Sequence, residues 1–402
     1  MRLLKDHALF VVLLILVAAY RFQLWHHTPV TLYGDMLRYN TMALHVIDHG
    51  YLGFRNGPDA YVMPLYPLFL AVMYKLLQAF HTHLTMLRMV HETFLLQQGL
   101  SLLSLWLTYQ LGSLFAGKRA GFAAAILSAL YLPNSFVGLT LLTEPLFIPL
   151  LLGSLLAGSY AVKRGFVFDY ALTGLLIGLT ALVRPNVLPL FLLVVLVDLI
   201  HRRNAGVINA FKMQFRMYAI MVAFVIVPLI PWWIRNAIDF HHFIPLSTEA
   251  GNPLLAGADP YFLVGINTLI EASRKLHESQ QTYAIHYMLH GLTHQPLLFL
   301  GWYLFGKLPY LFWTPWFYNY LSAFVLYHRV LVILGGIAMI VGLWYRETRF
   351  FALSTLFLLA VQLVFLPITR YGYPLVLMTT ILVPAVICHL PIVTRFRRGG
   401  FR

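Results

Sequence analysis

Long apolar stretches separated by short polar loops dominate the hydrophobic pattern of this chain. A helix needs about 20 apolar residues to cross a bilayer, so each such stretch is a candidate membrane span. The pattern therefore predicts an all-α polytopic membrane protein in which residues 1–402 form a single membrane domain. The ten predicted spans are 8–25, 86–115, 119–137, 142–162, 170–184, 186–200, 217–236, 322–345, 350–367 and 371–391.

Two further apolar stretches, 64–80 and 296–317, each contain a lysine and have proline and aromatic residues near their ends. That composition is typical of helices that lie at the membrane surface. If either stretch crossed alone, the basic loops after it would fall on the wrong side of the membrane. We therefore predict two long outer segments, 27–85 and 237–321, each with one interfacial helix. The alternative, in which both stretches cross, stays open.

Composition and charge refine this prediction. The chain is 60% hydrophobic and 10% charged, whereas soluble domains have about 25% charged residues. Its net charge of +14 is concentrated in short loops and at the termini, which the positive-inside rule assigns to the cytoplasm. The charge thus reports topology and argues against a nucleic-acid partner. The single Cys388 excludes internal disulfides and a multi-thiolate metal site. We expect a cell (plasma) membrane protein whose site faces outside the cytoplasm.

Two acids differ from the others on the predicted outer side. Asp35 begins a helical pattern directly after the first span, and Glu144 lies in an apolar turn, "LTLLTEPLF". A charge beside hydrocarbon is a functional hypothesis by default. The structural alternatives are a helix N-cap for Asp35 and a first helical turn, with Pro145 at its start, for Glu144. Most other outer acids, Glu249 among them, lie in long polar loops and are expected to be solvated.

Several cations also stand at the predicted outer surface. Arg184, Arg235 and Arg370 end spans on that side, against the positive-inside bias, and Arg38 and Lys307 fall at the same level. Snorkelling to lipid headgroups explains any one of them. Several on one face predict a site for an anionic headgroup, since guanidinium binds phosphate with two parallel hydrogen bonds. A carboxylate beside such a site could take a proton from an incoming hydroxyl.

The order of these motifs resembles the polytopic type C (GT-C) glycosyltransferases of the protein-mannosyltransferase and aminoarabinose-transferase superfamily. The resemblance implies a GT-C-like fold and inverting transfer of a sugar from a polyprenyl-phosphate (undecaprenyl or dolichyl type) donor outside the cytoplasm. It runs almost from end to end of the chain. The matching blocks are "GDMLRYNTMALHVIDHGYLG", "MPLYPLFLAVMYKLL", "LTLLTEPLF", "LVRPN", "PWWIRNAIDF" and "TRYGYPL".

The resemblance also implies roles for individual residues. Asp35 matches the catalytic base, and Glu144 matches an acid that positions the substrate or a metal ion. The remaining matched residues are expected to bind the lipid phosphate: Arg38, Tyr39, Arg235, Lys307, Arg370 and Tyr371.

Two departures from the family pattern bear on substrate and cofactor. Val62 and Met63 stand where the aminoarabinose transferases have an acidic–basic pair, which argues against their metal site and against lipid A as acceptor. The segment 237–321 is too short for the sugar-binding domain of the protein mannosyltransferases. The expected partners are a polyprenyl-phosphate-linked sugar, a hydroxyl of a lipid or envelope-glycan acceptor, and membrane lipids.

A divalent metal ion stays open as a cofactor. His286, His290 and His294 recur every four residues on one face of a predicted helix. An i, i+4 pair of histidines can bind a metal ion, but the polar face of an interfacial helix explains the same spacing.

Two other functions fit an outer phosphate site. A flippase or transporter of lipid-linked sugars would place charges deep within the spans, whereas here the charges stand mainly at span ends. A structural or assembly protein would not need the outer acids and arginines. The pattern therefore favours chemistry at one membrane face. The identities of the sugar and the acceptor do not follow from the sequence.

Overall fold

The computed structural model describes residues 2–80, 84–202, 204, 206–249, 251–317 and 321–390. The basic residues 395–402, predicted to be cytoplasmic, lie outside this part of the chain. The described residues contain helices and no β-strand. In chain order the α-helices are α1 (Arg2–His27), α2 (Asp35–His49), α3 (Leu65–Phe80), α4 (Met86–Ala116), α5 (Lys118–Leu130), α6 (Pro133–Phe136), α7 (Glu144–Arg164), α8 (Val167–Ala181), α9 (Leu190–His201), α10 (Val207–Ile226), α11 (Ile230–Phe240), α12 (Gly251–Ala258), α13 (Ile266–Lys275), α14 (Gln280–His294), α15 (Pro296–Gly301), α16 (Lys307–Phe312), α17 (Ser322–Val341), α18 (Arg349–Val364) and α19 (Thr369–His389).

The lengths and compositions of these helices confirm the all-α polytopic class. Among the described residues, six helical segments are long and apolar enough to cross a membrane, and α5 with the helical turns after it makes a seventh candidate, bent by 71°. Three shorter apolar helices, α8, the segment Pro185–His201 and α18, occupy the other predicted spans. The six long segments are Ala8–His27, Met86–Ala116, Glu144–Arg164, Val207–Phe240, Ser322–Val341 and Thr369–His389.

The two stretches predicted to be interfacial differ from each other. The first folds as one short apolar helix, α3. The second breaks into α15, a π-helical turn (Trp302–Gly306) and α16. Neither stretch is among the six helices long and apolar enough to cross a membrane, but α3 is as long as α18, so its length does not distinguish an interfacial helix from a span. The prediction that both stretches lie at the interface stays a prediction.

The core is built around α19, which is buried over most of its length and contacts α4, α5 and α17. α4 and α5 approach closely because Gly121 faces α4: a Cβ there would stand 2.0 Å from the Ser113 hydroxyl and 2.4 Å from the Tyr109 carbonyl oxygen. Small residues allow such helix contacts in membranes, where the hydrophobic effect does not drive helices together.

Two glutamines of α4 hold the turn that leads into α7. The Gln97 amide donates to the carbonyl oxygens of Gly138 and Thr140 at 3.1 and 2.9 Å, and the Gln98 amide donates to that of Ser135 at 2.9 Å. Buried backbone carbonyls in a turn need such partners because no helical ladder satisfies them. The turn is therefore anchored, and it places Glu144 at the start of α7.

Candidate active site

Three helices begin at the same place, and each contributes a charged side chain there. Asp35 opens α2, Glu144 opens α7 and Arg370 is the second residue of α19. Arg370 donates from Nη1 to Asp35 Oδ2 at 2.9 Å, from Nε to Glu144 Oε1 at 2.5 Å and from Nη2 to Glu144 Oε2 at 3.1 Å. The partial positive charge of a helix N-terminus favours carboxylates in this position. Arg370 therefore joins the two acids that the sequence singled out.

Asp35 does not serve as a helix N-cap. Gly34 holds that position, with φ of 53°, and no side chain caps the helix. The Asp35 carboxylate instead meets Arg370 and lies 3.5 Å from Arg38 Nη1. Its side chain is 39% exposed, so an incoming group can reach it. This corrects the N-cap alternative: the carboxylate points to the arginines.

Glu144, in contrast, is fully buried. Arg184 donates from Nη2 to Glu144 Oε1 at 2.5 Å and from Nε to the Thr143 hydroxyl at 3.0 Å. With Arg370 on the other side, both carboxylate oxygens of Glu144 are paired with guanidinium groups. This geometry suits Glu144 for positioning two arginines and leaves it no free oxygen for substrate or metal.

Arg184 is a site residue that the sequence left among the cations at span ends. It follows α8 in extended backbone, before Pro185. Its guanidinium lies 5.0 Å from the ring centre of Phe147 and 5.7 Å from that of Tyr371, which adds cation–π contact to its ion pair. The motif "LVRPN" was the only available signal, and it does not indicate which acid this arginine meets.

Glu249 is the second addition to the site. Its carboxylate lies 3.4 Å from Arg38 Nη1. The backbone N–H groups of Thr248 and Glu249 donate to the carbonyl oxygens of Ala60 and Tyr61 at 2.9 and 3.0 Å, which joins the two predicted outer segments. Burial, together with the neighbouring Asp35 charge, raises the pKa of Glu249. The expectation that this acid is a fully solvated loop residue is therefore wrong: its side chain is partly buried, at 34% exposure, and pairs with Arg38.

Arg38 makes long ion pairs with two acids and cation–π contacts with two aromatic rings. Its ion pairs with Asp35 and Glu249 are 3.5 and 3.4 Å long, at the long end for charge-assisted bonds. Its guanidinium lies 4.9 Å from the ring centre of Tyr61 and 5.5 Å from that of Phe54. Such a guanidinium keeps N–H groups available for an incoming anion.

A cavity of about 170 Å³ opens among these groups. Tyr39, which is buried and packs edge-on against Tyr66 at 5.1 Å, forms part of its wall together with Tyr371. Val62 and Met63, the two residues that depart from the aminoarabinose-transferase pattern, line it as well. The charged residues in its lining are Asp35, Arg184, Glu249 and Arg370. Arg38 is not among them, but it pairs with two that are, Asp35 and Glu249.

Arg235 does not line this cavity. It forms an ion pair with Asp239 at 2.7 Å and donates to the carbonyl oxygens of Asp59 and Leu52 at 2.9 and 2.8 Å. It lines a different cavity, beside Pro228 and Trp232. Arg235 thus ties α11 to the first predicted outer segment, and this corrects the expectation that it faces the same anion as Arg370.

Lys307 is also placed elsewhere. Its buried ammonium donates to the carbonyl oxygens of Leu363, Val364 and Phe365 at 2.7, 3.2 and 3.1 Å. These oxygens stand at the end of α18, where the helix leaves carbonyls unpaired and its dipole favours a cation. Lys307 therefore caps a helix, which corrects its predicted place beside the lipid phosphate.

The described residues do not fit a metal centre. Among them, no three histidine, cysteine or acidic side chains lie close enough to hold a metal ion. His286 pairs with Glu278 at 3.0 Å, and the rings of His290 and His294 stack at 4.0 Å. The acids of the site, Asp35, Glu144 and Glu249, all pair with arginines, which would repel a divalent cation.

Comparison with known proteins identifies the fold. No protein-family model and no curated protein matches this chain. Its structure is similar to that of the archaeal oligosaccharyltransferase AglB from Archaeoglobus fulgidus, solved in complex with an inhibitory peptide and a dolichol-phosphate. The TM-score is 0.59 and the sequence identity 15%, and the match covers 97% of this chain and 51% of AglB. It is also similar to ArnT from Cupriavidus metallidurans bound to undecaprenyl phosphate, with a TM-score of 0.58 and 14% identity over 97% of this chain and 62% of that one.

These likenesses establish a GT-C type fold and confirm the architecture expected from the resemblance. This chain spans between half and two thirds of the length of the two solved proteins.

Proposed function

We propose that this protein is a glycosyltransferase that moves a sugar from a polyprenyl-phosphate donor to a hydroxyl of a lipid or cell-envelope acceptor, on the non-cytoplasmic face of the cell membrane. The observation that carries the proposal is Asp35, a cavity carboxylate that is still accessible and stands between Arg38 and Arg370. The fold shared with AglB and ArnT, both solved with a polyprenyl phosphate, supports the choice of donor.

The proposed reaction is a single displacement. The acceptor oxygen forms a bond to the anomeric carbon of the sugar, and the bond from that carbon to the phosphate oxygen breaks. Polyprenyl phosphate leaves with the bonding electrons, and the hydroxyl proton goes to Asp35, the general base. Because attack occurs opposite the leaving group, the anomeric configuration inverts.

The arginines have separate tasks in this proposal. Arg38 makes long ion pairs and a cation–π contact with Tyr61. It binds the donor phosphate and stabilises the charge that develops on it. Arg370 orients the Asp35 carboxylate. Glu144 and Arg184 hold Arg370 in place through the buried pair. Tyr39 and Tyr371 form the wall beside the phosphate.

A flippase for lipid-linked sugars remains the alternative function. It would need a charged path across the membrane, whereas the acids and arginines of this site gather at the ends of α2, α7 and α19 that meet there. This arrangement favours transfer at one face over movement across the membrane.

The test is a transfer assay on the purified protein in lipid nanodiscs. Polyprenyl-phosphate sugars of several headgroup classes are incubated with candidate envelope lipids, and mass spectrometry follows the sugar. We expect one headgroup to appear on an acceptor with release of polyprenyl phosphate. Movement of fluorescent lipid-linked sugar between leaflets of liposomes, without any transfer product, would support the flippase and overturn the proposal.

A further inference from the structure

Glu249 is a charged side chain of the candidate site that the proposed reaction does not use. It lines the cavity of about 170 Å³ together with Asp35 and Arg370. Its ion-pair partner among the described residues is Arg38, with Oε1 3.4 Å from Nη1. The side chains of Arg38 and Glu249 are 26% and 34% exposed. The carboxylate therefore contacts the same guanidinium that we assign to the donor phosphate, at a place that an incoming anion can reach.

Backbone hydrogen bonds fix where the Glu249 side chain starts but not where it ends. The N–H groups of Thr248 and Glu249 donate to the carbonyl oxygens of Ala60 and Tyr61, so this backbone is held against the first predicted outer segment. The contact of the carboxylate with Arg38 is long for a charge-assisted hydrogen bond. A phosphate can thus displace the carboxylate from Arg38 by rotation of the side chain, while the backbone and the negative charge stay at the cavity.

The acids and arginines of the site balance one another. Three carboxylates and three guanidinium groups pair there: Asp35, Glu144, Glu249, Arg38, Arg184 and Arg370. A phosphate that binds to Arg38 therefore adds negative charge that no further arginine of this group compensates. Its repulsion by a neighbouring carboxylate grows in proportion to the charge on the phosphate.

The charge of Glu249 is the least compensated of the three acids. Glu144 is shared by two arginines, at 2.5 Å from each. Asp35 meets Arg370 at 2.9 Å and Arg38 at 3.5 Å. Glu249 has the single long contact with Arg38. An anion on Arg38 is therefore repelled by Glu249 more than by the other two acids.

The donor and the product of the proposed reaction differ in charge. The donor is a phosphodiester, in which the phosphate has one ionisable oxygen and one negative charge. The product, polyprenyl phosphate, is a monoester, and a phosphate monoester carries about −1.5 to −2 at pH 7. A carboxylate beside the phosphate therefore weakens binding of the product more than binding of the donor.

We propose that Glu249 is a specificity-determining residue of the phosphate site. Its carboxylate competes with the phosphate for Arg38, and its charge shifts the preference of the site from the monoester towards the phosphodiester. Glu249 thereby favours donor binding over retention of the product. This inference rests on the proposed function for the identity of the two ligands.

The test is a binding measurement that needs no sugar transfer. The two probes are a short-chain prenyl phosphate and its methyl ester, which have the same chain and differ in charge. Their Kd values for the full-length protein in nanodiscs are measured at about pH 8, where the monoester carries nearly two charges. In Glu249→Gln we expect the methyl ester to bind about threefold more tightly, the scale of a part-exposed charge pair. The monoester should bind about tenfold more tightly, because its charge is twice as large.

The matched control is Glu271→Gln, which removes an exposed acid of α13 and should bind both probes like the wild type. If Glu249 only held Arg38 in place, its loss would weaken both probes or change both by the same factor. Either of those results overturns the proposal. Glu249→Ala replaces the glutamine variant if that variant does not fold.

A kinetic measurement separates failure of this inference from failure of the proposed function. In the transfer assay, the inhibition constant of added polyprenyl phosphate is compared with the donor KM. We expect this ratio to fall about threefold in Glu249→Gln. Transfer with an unchanged ratio contradicts the role of Glu249 alone. The expected shift in probe binding without any transfer supports the role of Glu249 and contradicts the proposed function alone.

Discussion

Arg370 binds both carboxylate oxygens of Glu144, a residue 226 positions earlier in the chain, through Nε at 2.5 Å and Nη2 at 3.1 Å. The third nitrogen, Nη1, reaches Asp35 at 2.9 Å. One side chain of α19 thereby fixes the starts of α2 and α7 relative to each other, and it leaves Asp35 as the accessible carboxylate of this trio.

Asp35→Asn should lower the rate of sugar transfer by about 10²–10⁴-fold, because an amide cannot accept the proton of the acceptor hydroxyl. The amide can still accept a hydrogen bond from Arg370, so the melting temperature should change little. Both quantities are measured on purified protein, with Asp48→Asn, at the exposed far end of α2, as the control. Full activity in the Asp35→Asn variant would show that Asp35 is not the general base.

Arg38→Ala should weaken the apparent affinity for the donor by about 10–100-fold, since charge-assisted hydrogen bonds contribute about 1.5–3 kcal/mol. Arg38→Lys should restore only part of that affinity because an ammonium lacks the planar pair of donors. Donor titrations of the initial rate measure both effects. An unchanged donor KM in the alanine variant, with Arg88→Ala as control, would argue against phosphate binding by Arg38.

Glu144→Gln should destabilise the protein by about 3–5 kcal/mol, because two buried guanidinium groups lose their shared counter-charge. Thermal and denaturant unfolding measure the loss, and activity should fall with it as Arg370 loses its anchor. Glu271→Gln on an exposed helix is the control and should be neutral. If Glu144→Gln unfolds like the wild type while transfer is lost, Glu144 acts in the chemistry rather than in positioning.

The stability contributed by Glu249 should depend on pH. Burial and the Asp35 charge raise its folded-state pKa above the ordinary 4.5, so protonation is easier in the folded protein. The associated stabilisation is complete below pH 4.5 and is lost as pH rises through the raised pKa. Glu249→Gln stays neutral throughout, so the melting temperature of the wild-type protein should fall relative to that of this variant as pH rises above 4.5 through the raised pKa.

Melting curves of the wild-type protein and the Glu249→Gln variant across that pH range make the comparison, with Glu271→Gln as a control for general charge effects. Parallel curves at every pH would show that Glu249 keeps its ordinary pKa in the folded protein.

Lys307→Met should cost about 1–3 kcal/mol of stability, because three buried carbonyl oxygens at the end of α18 lose their donor. Donor affinity should change little in the protein that remains folded, since Lys307 does not line the cavity and its ammonium is occupied by three backbone carbonyl oxygens. Unfolding midpoints and donor KM are measured beside the exposed control Lys275→Met. A large rise in donor KM with normal stability would indicate that Lys307 binds the donor phosphate after all.

The amino-acid sequence was sufficient to predict the class of the protein and the region of its candidate site. Hydropathy is a local property of each segment, and the lack of charge in long stretches was enough to predict an all-α polytopic fold. Asp35 was found because an acid beside hydrocarbon is conspicuous along the chain. The block order that resembles GT-C enzymes pointed to the fold that the structure has.

Which charged side chains pair with each other became visible only in the folded structure. Arg184, Arg235 and Arg370 look alike in sequence, since each ends an apolar stretch, yet Arg184 and Arg370 share Glu144 while Arg235 holds Asp239. The outcome depends on how each helix is rotated and on which distant segment it faces, and hydropathy contains neither. Glu249 looked like a solvated loop acid for the same reason: the segment that pairs with its backbone lies nearly two hundred positions away in the chain.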